Sequence, residues 1–187
     1  IMIDVKFDLN DIVLIPSEET EISSRKECDV KQNFNNKLCL PLMASPMDTV
    51  VSAKNYKEYI NNGIIPCIPR GLYLPFSHFE KMFKSYGLCE IEKALNEYKK
   101  IRKDVFHSSL IDPFYLYNYI LIDIANGHMK KLISIVKEIK ETFPHILLMV
   151  GNVANPETFV NLGLAGADYV RVSIGTGAGC TTAANVS

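Results

Sequence analysis

Three alternating glycines and a cysteine near the end of the chain have the residue types and spacing of a catalytic loop. Gly175, Gly177 and Gly179 follow the apolar, β-branched run Tyr169–Ile174, and Cys180 comes directly after the last glycine. Glycines at this density allow positive φ angles and a close approach of the main chain to a ligand or an ion. A thiol that follows a strand and its loop lies where parallel α/β proteins place their reactive groups. The segment therefore predicts a nucleophilic cysteine.

Two other interpretations of this loop stay open at this point. A plain glycine-rich turn needs no chemistry, since a lone cysteine commonly packs as a small apolar residue. A pyrophosphate-binding loop would need a third glycine where Cys180 stands, followed by a helix and an acidic residue. The order of strand, glycine loop, thiol and the hydroxyls of Thr181 and Thr182 favours the reactive thiol.

The bulk composition is that of an ordinary globular domain. The 187 residues are 48% hydrophobic and 22% charged, and their formal net charge of -1 gives no electrostatic basis for binding nucleic acid. No apolar run approaches the ~20 residues that a membrane span needs. The five cysteines form no C-x-x-C pair and indicate neither a zinc site nor a secreted disulfide framework. We therefore expect one cytoplasmic domain over residues 1–187, with neither a nucleic-acid nor a membrane partner.

Strand-like and helix-like segments alternate along the chain, which is typical of βα units in a parallel sheet. The predicted strands are Leu38–Ala44, Ile64–Ile68, Val105–Leu110, Tyr119–Ile124, Ile146–Val150 and Tyr169–Ile174. The predicted helices are Val51–Asn62, Leu74–Arg102 with a break near Gly87, His128–Phe143, and one that Asn155 caps and Gly166 stops.

This pattern predicts an α/β fold, a TIM (β/α)8 barrel of which the chain supplies about the first six β/α units. A full barrel of eight units takes ~250 residues, so we expect the barrel to be incomplete at its C-terminal side. The segment Ile1–Gln32 is expected to cover the bottom of the barrel.

Several motifs then occur in order along the chain. They are Phe7–Pro16 (FDLNDIVLIP), Ala44–Val50 (ASPMDTV), Asp123–Gly127 (DIANG), Gly151–Val153 (GNV) and Gly166–Asp168 (GAD), which leads into the cysteine loop. Together they resemble the family of IMP dehydrogenase and GMP reductase, which are purine-nucleotide oxidoreductases on a TIM barrel. The resemblance runs from Phe7 to Thr182. It implies that the catalytic carboxylate, a further phosphate-binding loop and a mobile flap lie beyond Ser187, so the 187 residues alone are expected to be inactive.

The resemblance implies a role for particular residues of this chain. Cys180 would attack C2 of the purine as a thiolate, and Thr182 would help to activate the departing amine. The nicotinamide cofactor, NADPH or NAD, would contact Asp123, Asn126 and Gly127. The purine nucleotide would be held by Ser45, Met47, Asn152 and Gly177. Main-chain carbonyls of Gly175, Gly177 and Cys180 would hold a monovalent cation such as K+, and the family generally forms homotetramers.

The form of two loops bears on which branch of the family the chain is similar to. The Asp-x-Ala-Asn-Gly loop, together with an interval from Pro69 to Tyr119 that is too short for a regulatory insert, is closer to GMP reductase. The Ser-Pro-Met-Asp loop at Ser45–Asp48 is closer to IMP dehydrogenase. We expect GMP reductase, with IMP dehydrogenase, a non-catalytic nucleotide-binding homologue and another phosphate-using TIM-barrel enzyme as alternatives.

The cysteine loop departs from the family pattern Gly-Ile-Gly-Pro-Gly-Ser-x-Cys-Thr-Thr-Arg at four positions. Ser173 replaces the first Gly, Thr176 the Pro, Ala178 the Ser and Ala183 the Arg. Because the family's Ser hydroxyl helps to hold the 5′-phosphate, Ala178 removes one phosphate contact. For Asp123, a helix N-cap is an alternative to the cofactor role.

Overall fold

A computed structural model describes residues 12–34, 37–74, 82–104 and 118–175 of the chain. An antiparallel hairpin of β1 (Gln32–Phe34) and β2 (Lys37–Cys39) precedes the main sheet. The six strands of that sheet are β3 (Met43–Ala44), β4 (Ile65–Ile68), β5 (Phe83–Tyr86), β6 (Tyr119–Asp123), β7 (Leu147–Val153) and β8 (Tyr169–Val172). The helices are α1 (Tyr56–Asn61), α2 (Leu88–Asp104), α3 (Lys130–Thr142) and α4 (Pro156–Leu164).

The main sheet is parallel throughout and follows the chain in the order β3-β4-β5-β6-β7-β8. It is also strongly curled. Three strand spacings would separate β5 from β8 by about 14 Å in a flat sheet. The rings of Phe83 and Tyr169, which begin these two strands, nevertheless lie 6.1 Å apart. The sheet therefore forms the larger part of a barrel wall, with one face turned inward.

Alternation along the strands separates an outer core from an inner core, and a further cluster that includes Val51, Tyr56 and Ile68 involves α1 and β4. The outer core lies between the sheet and α2, α3 and α4, and it includes the fully buried Ile120, Ile122, Leu148 and Val150. The inner core fills the barrel with Ile65, Cys67, Phe83, Tyr119, Leu121 and Met149. Residues at the next inward positions, further along each strand, must then lie at the carboxyl end of the barrel.

The amino end of the barrel is closed by the hairpin. The Phe34 ring packs 5.9 Å from that of Phe83, 6.0 Å from that of Tyr119 and 5.3 Å from that of Tyr169. Every residue from 12 to 31 is exposed. The expectation that Ile1–Gln32 covers the bottom is thus wrong for residues 12–31, because the aromatic side chain that fits the barrel belongs to the hairpin.

Two predicted elements differ from the structure in kind. Leu38–Ala44 is divided between β2 and β3, with Pro41, which cannot donate to a ladder, between them. In the described part of the predicted helix Leu74–Arg102, Phe83–Tyr86 form strand β5, and helix α2 begins only at Leu88. The predicted strand Val105–Leu110 lies outside the described residues, and β6 pairs directly with β5.

Two further elements differ in length. Helix α1 begins at Tyr56 rather than at Val51, because the Asn55 side chain accepts from the Ser52 N–H (2.8 Å) and donates to the Val50 carbonyl (2.8 Å). Such side-chain bonds compete with helical ones. Strand β7 continues to Val153, three residues beyond its predicted end.

The other predicted elements are confirmed to within two residues. The side chain of Asn155 caps α4 by accepting from the Thr158 N–H at 3.1 Å, and Gly166 follows that helix with φ +106°. Among the helices in the described ranges, none is both long and apolar enough to cross a bilayer.

Candidate functional site at the carboxyl ends of the strands

One carboxylate and one guanidinium meet at the carboxyl end of the barrel. Asp123 on β6 is in register with Gly151 on β7, which is in register with Arg171 on β8. Nη1 of Arg171 donates to Oδ1 of Asp123 at 2.7 Å, and each side chain is 27% exposed. A partly buried, charge-assisted hydrogen bond of this length is among the stronger polar contacts in proteins.

Gly151 allows β8 to lie close to β7 beside this contact. A Cβ placed on Gly151 would lie 2.7 Å from the Arg171 carbonyl oxygen and 2.8 Å from its Cβ, and the residue has φ +147°. No L side chain fits there without displacing β8. The glycine in the middle strand thus keeps the main chain of Arg171 in close contact with β7.

A second guanidinium faces the same carboxylate from the other side. Arg70, in the turn after β4, has Nη2 3.9 Å from Oδ2 of Asp123 and is 47% exposed. Two arginines thus flank one aspartate, and the Glu90 carboxylate also lies near Arg70, over Gly87. Guanidinium groups favour anionic oxygens, so this end of the barrel suits a phosphate-bearing ligand.

Asp123 is therefore not the N-cap of the following helix. Helix α3 begins at Lys130, after Met129, and Asp123 lies at the end of β6. That alternative is wrong, because the carboxylate is directed into the barrel toward β8.

The loop after β6 is held against β7 by its main chain. The Gly127 N–H donates to the Asn152 carbonyl at 2.8 Å, and the Asn126 side chain accepts from the His128 N–H at 3.0 Å. A Cβ on Gly127 would lie 2.6 Å from Cγ1 of Val153. Glycine is thus required here by packing within the chain, whatever ligand it approaches.

Asn152 joins this loop to the start of the cysteine loop. Its Nδ2 donates to the Ser173 carbonyl at 2.7 Å, while the Ser173 N–H donates to the Val153 carbonyl at 2.8 Å. Ser173 has φ +84°, a left-handed conformation that favours glycine. Gly175 follows with φ +68°.

Ser45 and Met47 lie in the loop after β3, at the other edge of the sheet. The Met47 carbonyl accepts from the Val50 and Val51 N–H groups, each at 2.8 Å, and its side chain is 55% exposed. An exposed thioether beside the barrel mouth provides an apolar surface for a flat ring. The predicted contact of these two residues with a nucleotide stays a prediction.

The remaining predicted residues lie outside the described ranges. These are Gly177, Cys180 and Thr182. The nucleophile and the monovalent-cation site therefore also stay predictions, with only Gly175 of the cation set described.

The described cysteines include one that is placed close to the ion pair but is unsuited to nucleophilic chemistry. Cys67 on β4 is 3% exposed, and burial raises the pKa of its thiol from 9.0 to about 12, with a smaller opposing effect of Arg171. A thiol with this pKa is protonated at neutral pH and inert.

Sequence reasoning missed both arginines. Arg171 shares the inward parity of Tyr169 in a strand predicted to be buried, and a charge at such a position is a usable signal. Arg70 follows a predicted strand directly. Its partner is 53 residues away in the chain (123 − 70), so the sequence alone does not reveal the contact.

The chain matches a family model over part of its length. Residues 115–186 match the IMP dehydrogenase / GMP reductase domain. The matched range contains Asp123, the Asn126–Gly127 loop, Asn152, Arg171 and the cysteine loop.

Curated relatives match over nearly the whole chain. The chain is 35% identical over 178 residues to "GMP reductase" of Staphylococcus aureus, 33% over 180 residues to "GMP reductase" of Lactobacillus delbrueckii subsp. bulgaricus, and 29% over 197 residues to "GMP reductase 2" of Homo sapiens. These matches cover 94%, 94% and 96% of this chain but 53%, 52% and 52% of the relatives. The chain spans about half the length of the curated relatives it matches.

A solved structure confirms the fold class. The crystal structure of inosine 5′ monophosphate dehydrogenase from Legionella pneumophila superposes with a TM-score of 0.66 at 20% identity, covering 95% of this chain and 53% of the other. The curled six-stranded parallel sheet is part of a TIM barrel.

Proposed function

We propose, from the premise that this chain is a member of the IMP dehydrogenase / GMP reductase family, that it belongs to a purine-nucleotide oxidoreductase of the GMP reductase type. The observation that carries the proposal is the Asp123–Gly127 loop. It has the reductase form in sequence, and its carboxylate lies between two arginines at the carboxyl end of the barrel. The relatives named above are called GMP reductase, which supports the same branch of the family.

The residues present fit a nicotinamide dinucleotide. Arg70 is half exposed at the barrel mouth beside Asp123, so it can face a phosphate, and Asn126 is exposed on the loop that follows Asp123. Asp123, Asn126 and Gly127 would hold the cofactor, with NADPH preferred. When bound, the reduced cofactor supplies a hydride.

The proposed reaction passes through a covalent bond to Cys180. The thiolate attacks C2 of GMP, and the C2–N bond breaks as ammonia departs with protons from solvent, assisted by Thr182. The hydride then adds to C2, the C2–S bond breaks, and IMP is released while the thiolate is restored. The balance is GMP, NADPH and two protons giving IMP, NADP+ and ammonium. The proposal includes a K+ ion bound by the main-chain carbonyls of Gly175, Gly177 and Cys180. It also includes assembly of the protein with three further copies as a homotetramer.

IMP dehydrogenase is the second candidate. The Ser45–Asp48 loop, Ser-Pro-Met-Asp, favours it. In that reaction bound NAD would supply the acceptor for the hydride that leaves C2 of IMP. Water would then add to C2 of the covalent intermediate, and the C2–S bond would break to release XMP and restore the thiolate, so that IMP, NAD and water give XMP, NADH and a proton.

Activity assays of the full-length protein that follow the absorbance of the reduced nicotinamide distinguish these functions. Oxidation of NADPH with GMP, abolished by Cys180→Ala and retained by Cys89→Ala, is the expected result. Cys89 is an exposed cysteine on α2, which makes it a matched control. Reduction of NAD with IMP would assign the dehydrogenase. Nucleotide binding without turnover in either assay would assign a non-catalytic homologue.

A further inference from the structure

Lys84 is a buried cation inside a strand, and neither the sequence motifs nor the proposed reaction uses it. It is the second residue of β5 and is 2% exposed. Lysine is seldom buried unless its ammonium group has partners. Burial lowers the pKa of Lys84, and the charge of Glu90 opposes that shift.

The partners of Lys84 belong to one turn. Its Nζ donates to the Pro69 carbonyl at 3.0 Å and to the Leu72 carbonyl at 2.8 Å. These are the first and last residues of a β-turn, in which the Leu72 N–H donates to the Pro69 carbonyl at 3.3 Å and Gly71 has φ +72°. A positive φ at the third position is the mark of a type II turn.

Aromatic rings complete the surroundings of the ammonium group. Nζ lies 5.2 Å from the ring centroid of Tyr73 and 5.8 Å from that of Tyr86, within the range of cation–π attraction. Two carbonyls and two rings thus hold the charge, and the turn is tied to β5 at both of its ends.

The second residue of this turn is Arg70. Its Nη2 faces Asp123, and its Nη1 lies 3.0 Å from the position that a Cβ on Gly87 would occupy. The guanidinium therefore packs over Gly87, directly after β5, where the Glu90 carboxylate also lies. A change in the turn would move Arg70 with it.

We propose that Lys84 is a positioning residue of the candidate site, which clamps the Pro69–Leu72 turn so that Arg70 is presented beside Asp123. The inference rests on the proposed function, in which a nicotinamide dinucleotide binds at Asp123. Lys84 acts through Arg70 and touches no ligand itself. By restraining the turn, Lys84 holds the Arg70 guanidinium in one direction.

Hydrogen exchange in the full-length protein tests the clamp without any ligand. In Lys84→Met, which keeps the apolar stem but loses the donor, the Leu72 amide is expected to exchange at least about tenfold faster, since a charged hydrogen-bond donor is lost. Lys140→Met is the matched control, because Nζ of Lys140 donates to the Ile146 carbonyl (2.8 Å) and Asp168 (2.9 Å) at the opposite end of the barrel. An unchanged Leu72 amide in Lys84→Met overturns the clamp.

Dinucleotide affinity tests the positioning role. Lys84→Met is expected to weaken NADPH binding about tenfold, because the dinucleotide loses one well-placed charged contact with Arg70. GMP binding should weaken less than about twofold. Arg70→Ala should weaken NADPH binding similarly, and the double variant should be no weaker than Arg70→Ala alone. Additive losses, or an equal loss of GMP affinity, overturn the role.

A second variant covers the case in which Lys84→Met does not fold. Gly71→Ala strains the turn through its positive φ, while a Cβ there meets nothing within 4 Å, so it is expected to reproduce the NADPH defect with Lys84 intact. A folded Gly71→Ala variant with normal NADPH affinity contradicts the proposal. Wild-type protein that binds no dinucleotide overturns the proposed function and the positioning role together, and the exchange data still decide the clamp.

Discussion

Asp123 and Arg171 are joined across an intervening strand by a 2.7 Å hydrogen bond, over the glycine that separates them in the sheet. The pair lies on the inward face at the carboxyl end of the barrel, directly after the apolar layers of the inner core. It ties the last described strand to the strand whose loop carries the proposed cofactor contacts.

Removing one member of this pair leaves the other charge without its partner. Asp123→Asn and Arg171→Met are each expected to destabilise the protein, with a coupling free energy of about 1 to 2 kcal/mol between them. Urea unfolding of the two single variants and the double variant measures the coupling. The control is Glu141→Gln, whose carboxylate forms an exposed 3.8 Å pair with Lys137 and should change stability by less than about 0.5 kcal/mol. A loss of stability in Glu141→Gln as large as that in Asp123→Asn would contradict the assignment.

Ser173→Gly is expected to stabilise the protein. Ser173 has φ +84°, and its two hydrogen bonds with Val153 and Asn152 use only its main chain. The substitution should raise the free energy of unfolding by about 0.5 to 1 kcal/mol. Glycine removes the steric cost of the left-handed conformation, and this gain exceeds the cost of its greater entropy in the unfolded chain. Ser134→Gly, within α3, should instead lose about 0.5 kcal/mol. Thermal unfolding of both variants measures the signs, and a loss at Ser173 would show that its conformation is not strained.

Gly127→Ala and Gly163→Ala form a matched pair with opposite expected signs. A Cβ at Gly127 would lie 2.6 Å from Val153, so the loop must shift, at a cost of about 1 to 3 kcal/mol. A Cβ at Gly163, in α4, meets nothing within 4 Å, and alanine there should gain about 0.5 to 1 kcal/mol. Chemical denaturation of both variants measures the two changes in the free energy of unfolding. A neutral Gly127→Ala variant would mean that the loop after β6 is not packed on β7 as described.

The buried thiol of Cys67 predicts a loss of stability in alkali. Below pH 9 the thiol is protonated in both the folded and the unfolded chain, so it contributes no pH dependence. From pH 9 to about 12 only the unfolded chain releases the proton, and the free energy of unfolding falls by about 1.4 kcal/mol per pH unit. Cys67→Ala should show a shallower decline over that window, whatever its stability at neutral pH.

Thiol labelling provides an independent measurement at pH 8. Cys28 and Cys89 are exposed and should react within the native state, whereas Cys67 should react only on unfolding. Rapid labelling of Cys67 would contradict its burial.

Local patterns in the sequence determined most of the architecture. The apolar run of β6, the apolar stripe of α3 and the Asn155–Pro156 start of α4 each depend on residues within one element, and each forms as predicted. Because consecutive strands are parallel, the loops that follow them must meet at one end of the sheet. The positions of Asp123 at the end of its strand and of Ser45 and Asn126 just beyond theirs follow from that rule alone.

Only the tertiary structure decided which side chains meet there. β5 has four residues and carries a lysine, so its sequence predicts a helix better than a buried strand; its lysine is buried because the turn after β4 offers two carbonyls. Arg171 reaches Asp123, 48 residues away, because register aligns both residues with Gly151 of the intervening strand. Register and the partners of buried charges depend on distant segments packing together, and no local pattern in the chain encodes them.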